Sequence, residues 1–176
     1  SYLGIKMTKT EDGHIKMKQT CLIGKIVEAL GLDSKLSTSK WTPAEATPLT
    51  HDEDTEPPQG SFSYSGVVGM LLYLSGPSRP DIAYALNWCA CYMLSPCLSH
   101  EKALKQIGRY LKDTRDKGLV LHPSGQLKVD ASPDADFARL YGHEKVTNPA
   151  CAKSRTGFLL TVSDCPMVWV SKLQTE

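Results

Sequence analysis

The sequence predicts an α+β chain: an N-terminal β-hairpin, three or four packed helices, and an incomplete antiparallel sheet toward the C-terminus. Three observations carry this. Glu11-Asp12-Gly13 separates two short strand-like runs, apolar residues recur at helical spacing between Leu22 and Leu111, and after Lys117-Gly118 the pattern changes to short β-like runs.

In order, residues 2–7 and 14–18 read as strands, because Asp-Gly between them is a strong hairpin signal. Leu22, Ile23, Ile26, Val27 and Leu30 share one face of a helix, and Gly31 stands where a C-terminal cap belongs. From Ser34 to Gly60 the chain is rich in Ser, Thr, Pro and acid, with four carboxylates from Asp52 to Glu56 before Pro57-Pro58. That composition reads as a solvated loop. Tyr64 to Ser75 carries Val67, Val68, Leu71, Leu72 and Leu74, a buried helix expected to stop at Gly76-Pro77. Ser78-Arg79-Pro80-Asp81 offers a capping Ser, an early Pro and an acidic first turn, starting a helix that runs to about Leu94, before Pro96.

Ser99 is the expected cap of the next helix. Its Ala103, Leu104, Ile107, Tyr110 and Leu111 fall on one side, and Lys102, Lys105, Arg109 and Lys112 on the other. Beyond a boundary near Gly118 to Gly125, the segments Leu119–His122, Leu127–Ala131, Thr156–Val162 and Met167–Lys172 read as strands. The turn Ser163-Asp164-Cys165-Pro166 joins the last two into an antiparallel hairpin.

With 176 residues, 41% of them hydrophobic, the chain suits one ordinary domain or two small ones. Its 20 basic and 19 acidic residues leave a formal charge of +1, so a nucleic-acid partner must be argued from local patterning. The longest apolar run, Val67 to Leu74 interrupted by Gly69, is far shorter than the roughly 20 residues of a membrane helix. No membrane partner is expected. The opening Ser1-Tyr2-Leu3-Gly4 has neither an initiating Met nor a signal-peptide pattern, as expected of a segment of a longer polypeptide. Six Cys without secretory features are expected to stay reduced in the cytoplasm or nucleus. Cys89, Cys91, Cys97 and His100 give C-x-C-x5-C-x2-H, but this is not the spacing of a zinc ribbon or finger. Cys89 and Cys91 would also leave different faces of a helix.

Several ordered blocks resemble the Pol polyproteins of copia-type retrotransposons. Tyr2-Leu3-Gly4-Ile5 is similar to the Leu-Gly strand after the reverse-transcriptase palm, in the region that grips the primer. Tyr64 with Val68-Gly69-Met70-Leu71-Leu72-Tyr73-Leu74, then Ser78-Arg79-Pro80-Asp81-Ile82-Ala83, is similar to the family's most recognisable signature. Pro96, Ser99-His100, Arg109-Tyr110-Leu111-Lys112, Thr114 and Gly118-Leu119 extend it in order. Asp134-Ala135-Asp136-Phe137-Ala138, Lys153-Ser154-Arg155-Thr156-Gly157-Phe158 and Trp169-Val170-Ser171-Lys172-Leu173-Gln174 resemble the opening of the family's ribonuclease H domain.

The resemblance implies three regions. Residues 1–20 match the primer-grip end of the palm; 21–118 match a helical thumb and connection, with an acidic Pro-rich loop at 50–60; and 119–176 match the N-terminal part of a ribonuclease H-like domain. The implied function is RNA-directed DNA synthesis with degradation of the RNA–DNA hybrid, to which this segment contributes primer-template binding. The implied partners are that nucleic acid and the rest of the polyprotein, within a virus-like particle for an active element.

Ribonuclease H chemistry uses several carboxylates to hold two metal ions across a phosphodiester. Mg2+ is the implied cofactor of the complete enzyme, and Asp134 matches the first metal-binding Asp. Asp136 reads as a turn or structural carboxylate more than a ligand. The polymerase aspartates are expected upstream and the later ribonuclease H carboxylates downstream, so neither turnover nor tight metal binding is expected of these residues alone. Glu176 reads as an ordinary polar residue.

Two departures weaken the Asp134 site: Pro133 stands where a strand-compatible apolar residue is usual, and Arg139 replaces a small Gly. Leu3, Gly4, Lys102, Lys105, Arg109 and Lys112 are the implied nucleic-acid contacts, the four cations following a phosphate backbone. An ordinary solvated helix face has the same charge pattern. His100 reads as a packing residue, and Ser78, Arg79 and Asp81 as a cap and a local ion pair. A function of another class is a non-enzymatic, decayed or repurposed module whose open strand edge or exposed half-sheet pairs with a partner.

Overall fold

The computed structural model describes residues 2–33, 38–50, 56–138 and 140–174. The acidic run at 52–55, Ser34, Arg139 and Glu176 lie outside them. The architecture is α+β, with four α-helices and two three-stranded antiparallel sheets among the described residues.

The first sheet contains β1 (Lys6–Lys9) and β2 (Ile15–Lys18), paired from Lys6↔Lys18 to Lys9↔Ile15. Gly13, at φ +83°, closes the loop between them, the left-handed geometry that an Asp-Gly signal predicts. Residues 2–5 are not strand. Leu3 and Gly4 both have positive φ (50° and 76°), and Tyr2 and Ile5 exchange backbone hydrogen bonds of 3.0 and 2.9 Å across them. The chain therefore reverses in a tight two-residue turn before β1 begins.

Helix α1 (Thr20–Ala29) ends as its sequence requires. Gly31, at φ +66°, donates to the Glu28 carbonyl and Leu32 donates to that of Val27, the double bond of a Schellman cap, and Leu32 turns back into the core.

Helix α2 (Tyr64–Ser78) starts at Ser63, whose hydroxyl accepts from the Gly66 N–H. It does not stop at Gly76-Pro77 but carries Pro77 within its last turn. Ser78 is thus the end of α2 rather than the cap of the next helix, and its buried hydroxyl links the Leu74 carbonyl to the Gln19 side chain before α1. A 3-10 turn (Pro80–Ile82) leads into α3 (Ala83–Cys91), which ends before the expected Leu94, and α4 spans Leu98–Asp113. Ile26, Val68, Leu71, Leu74, Leu104 and Ile107 lie at the centre of the shared core, all with no exposed surface.

Arg79 is the largest fully buried side chain, at 2% exposure. Its Nε and Nη2 donate to both oxygens of Asp81 at 2.8 to 3.2 Å, and its Nη1 and Nη2 donate to the Thr114 carbonyl and hydroxyl at 3.1 and 2.7 Å. Tyr110 adds its hydroxyl to Asp81 at 2.7 Å and offers its ring to the guanidinium. The α2–α3 junction is thereby tied to the C-terminal end of α4. Burial opposes ionisation of Asp81, but the Arg79 and Tyr110 hydrogen bonds outweigh it and hold the carboxyl below its ordinary value.

Strand β3 (Leu119–Leu121), grouped by sequence with the C-terminal region, pairs with β2. The four α-helices of the described residues are thus inserted between neighbouring strands of one sheet. The return is tight: a Cβ on Gly118 would lie 2.2 Å from the Met17 carbonyl oxygen.

The second sheet, ordered β4-β5-β6, contains β4 (Val129–Asp136), β5 (Arg155–Val162) and β6 (Cys165–Leu173). Ser163 and Asp164, at φ 49° and 65°, form the two-residue turn between β5 and β6, so the expected hairpin is present with Cys165 and Pro166 already in strand. One face of this sheet packs on the helices. Arg155 stacks on Trp88 at 4.1 Å and bonds Asn87, while Trp169 donates to the Ser75 carbonyl at 3.2 Å. The other face presents Ala131, Pro133, Phe158, Leu160, Val168 and Val170, with Phe158 40% and Val168 44% exposed.

Two outcomes are expected. Gly118→Ala must displace β2 backbone and should cost more than the about 1–3 kcal/mol of ordinary overpacking, read by urea unfolding. Asp81→Asn should cost about 1–3 kcal/mol, because it takes the counter-ion from a buried guanidinium while Asp81 itself is a third exposed to screening solvent. The native pair's contribution is full above the unfolded Asp value, about 3.9, and is lost as pH falls through the depressed folded value. Unfolding curves of Asp81→Asn should therefore lack that part of the acid-side decline.

Candidate functional site

Helix α4 carries most of the predicted contacts, and its first turn sets its position. Cys97, not Ser99, is the N-cap: its side chain meets the His100 backbone while its N–H donates to His100 Nδ1 at 3.0 Å. Because Nδ1 accepts, the Nε2 proton is left to point at the Thr50 carbonyl, 2.9 Å away. His100 has no exposed surface and stacks on Tyr92 with ring centroids 3.9 Å apart, a packing role as expected. Cys89 is buried on one side of α3 and Cys91 exposed on another. Burial pushes the Cys89 thiol up to about 12, which leaves it a neutral core group.

The described parts of the 34–60 region are fastened to these helices and are not a free solvated loop. Glu101, buried on the apolar side of α4, accepts from the N–H groups of Gln59 and Gly60 at 3.0 and 3.1 Å. Residues 39–50 are held by Asp113, which accepts from the Ser39 hydroxyl and the Lys40 N–H, and by Tyr92, which donates to the Leu49 carbonyl. Sequence reasoning passed over Glu101. The available signal was an acid at the 101-104-108-111 spacing of the buried stripe, where a charge needs a dedicated partner.

The four cations of α4 are not equivalent. Lys102 is exposed, and Lys105 lies over the Phe62 ring at 5.6 Å. Arg109 is half-buried, with its Nε sequestered and unpartnered. Lys112 donates to the Leu32 carbonyl at 2.7 Å, just past the end of α1. The stripe is therefore partly committed to packing. Leu3 and Gly4 occupy the exposed turn before β1, where the Tyr73 hydroxyl donates to the Leu3 carbonyl at 2.6 Å.

Asp134 and Asp136 alternate with Ala135 on β4 and so share one sheet face, opposite Gly157 and Arg155. Asp134 is exposed and Asp136 half-buried. Pro133 interrupts neither the strand nor its register, because β4 lies at the edge of this sheet, where one side of the backbone has no ladder bond to lose. Among the described residues no cluster of three His, Cys, Asp or Glu is placed to hold a metal ion. Two carboxylates on one strand do not fit a two-ion centre by themselves.

The retrovirus-related Pol polyprotein from transposon RE2 of Arabidopsis thaliana is 36% identical to this chain over 176 residues, 98% of the chain. The chain belongs to the copia-type retrotransposon Pol polyprotein family. The Pol polyprotein from transposon RE1 of the same plant is 29% identical over 174 residues. The chain spans 11% of the length of each of these relatives. The secreted RxLR effector protein 161 of Plasmopara viticola is 32% identical over 111 residues, which are 63% of this chain and 72% of that protein. No protein-family model and no solved structure matches the chain. No helix among the described residues is long and apolar enough to cross a membrane.

The Glu101 clamp yields one expected outcome. Glu101→Ala should destabilise the fold by about 1–3 kcal/mol, the cost of leaving buried donors unsatisfied. Hydrogen exchange at Gln59 and Gly60 should accelerate well beyond that at the core of α2.

Proposed function

We propose that this chain is the primer-template-holding part of a retrotransposon reverse transcriptase and ribonuclease H polyprotein. The observation that carries the reading is the alignment of 98% of the chain with a Pol polyprotein. Within it, Lys102 and Lys105 stand one turn apart on a rigid helix and supply the phosphate contacts with the least competing structural duty. Leu3 and Gly4 offer a turn backbone at the other end of the same reading. Contacts of this kind read the shape and backbone of an RNA–DNA hybrid, not its sequence. Nucleotide addition and hybrid cleavage belong, in this reading, to Mg2+ sites completed by other parts of the polyprotein. Asp134 is the one carboxylate this segment contributes to the second of them.

A second reading, a non-enzymatic interaction module, is favoured by two observations. Most of a protein named as a secreted effector aligns with part of this chain, and the outer face of the β4–β6 sheet is apolar and exposed.

Titration of a fluorescent RNA–DNA hybrid across a salt series separates the two. Holding of primer-template predicts binding that weakens with salt, and Lys102→Glu with Lys105→Glu should lower the slope of log K against log salt by about 2, one for each lost phosphate contact. An unchanged slope and affinity in the double variant would remove the proposal. Self-association indifferent to the hybrid would support the module.

A further inference from the structure

A cavity of about 450 Å³ lies between residues 40–49 and helices α3 and α4. It falls in the volume range of small-molecule sites, about 300–1,000 Å³. Pro43, Pro48, Leu49, Ala103 and Ile107 make its walls largely apolar. Thr47, Ser99 and Gln106 offer it both donors and acceptors, and other groups in the lining can only donate. Lys102 and Arg109 line it, and so does Trp88, which is 5% exposed. The Trp88 indole N–H and the Arg109 Nε–H are both buried and meet no acceptor. Glu45, the acid in the lining, is already paired with Lys40 at 3.5 Å.

Neutral and charged donors without acceptors, set in an apolar wall, favour an occupant that brings acceptors to one end and apolar surface to the other. Both donors are shut off from solvent, so an occupant gains them only by reaching past the cavity surface with an acceptor that they now lack. A nucleobase carries polar atoms on several edges at once, and those turned toward Pro43, Leu49 and Ile107 would be stranded. A compact hydrocarbon with one charged end leaves no such group stranded. We propose that this cavity is a binding site for a small amphipathic anion, an apolar ring or branched chain bearing a single carboxylate or phosphate. The anionic end sits against Arg109 and the Trp88 N–H, with Lys102 drawing it in, and the apolar end lies under residues 43–49. This goes beyond the primer-template reading, and its test contains no nucleic acid.

The probe is 2-naphthoate, titrated calorimetrically into the full 176-residue chain, with neutral 2-naphthamide as its isostere. One site per chain is expected, with the amide at least tenfold weaker. Trp88→Phe keeps an apolar ring and removes the N–H, and should weaken naphthoate about three- to tenfold, the value of one hydrogen bond. Arg109→Met keeps the stem and removes the charge, and should weaken it at least tenfold. Equal affinity for acid and amide, no binding at several millimolar, or unchanged affinity in Arg109→Met would each overturn the proposal. The acid–amide comparison needs only the unaltered chain, so it decides the matter even where a variant fails to fold by circular dichroism.

Discussion

A guanidinium cannot be buried without acceptors for its protons, and Arg79 is buried almost completely. The acceptors it finds, the Asp81 carboxylate and the carbonyl and hydroxyl of Thr114, come from two segments far apart in sequence. Meeting that demand fixes where α3 leaves α2 and where α4 must end. Once α4 ends at Thr114, the chain can reach β2 only by passing Gly118 against the Met17 carbonyl, and β3 comes directly after. The Ser78-Arg79-Pro80-Asp81 block is, in physical terms, a joint. It connects the helical layer to the sheet from which that layer emerges and to which it returns.

The same accounting explains why α4 is not a free basic surface. A helix with an apolar stripe and a cationic stripe normally buries the first and hydrates the second. Here residues 39–50 and 56–60 cross its flanks, drawn by Asp113, Gln106 and Glu101. Lys105 and Arg109 are consequently half-covered, and Lys112 serves a carbonyl at the end of α1, where a cation is also favoured by the helix dipole. The crossing segment does not close down fully on α3 and α4. The cavity left between them is lined by half-covered Arg109 and by Lys102, which stays exposed.

The β4–β6 sheet is joined to the helices through one of its faces. Arg155 stacked on Trp88, with Trp169 reaching the Ser75 carbonyl, anchors one face. Across that face, on the edge strand, Asp134 stays exposed beside Gly157. The opposite face carries Phe158, Leu160, Val168 and Val170 partly open to water, more apolar than the polar outer face of an ordinary half-solvated sheet. The chain corresponds to about a tenth of the length of the relatives it matches.

Local rules determined much from the sequence alone. Asp12-Gly13 and Gly31 force left-handed backbone, and the apolar spacing from Leu22 to Leu30 and along α4 names the buried faces. Asp134 and Asp136 share a strand face by alternation. The misses lie where a residue answers to something distant in sequence. Pro77 is tolerated because it falls in the last turn of α2, beside Ser78, which bonds Gln19 from another element. Cys97 replaced Ser99 as cap because His100 was held by Thr50 and Tyr92. Leu3-Gly4 became a turn, not a strand, and Leu119–Leu121 crossed to the first sheet because β2 offered it an open edge. What the sequence settled was periodicity, turn chemistry and family, all written in neighbouring residues. What tertiary structure decided was which charges remain available, because the burial of Arg79, Glu101 and Arg109 depends on chain segments that no local pattern names.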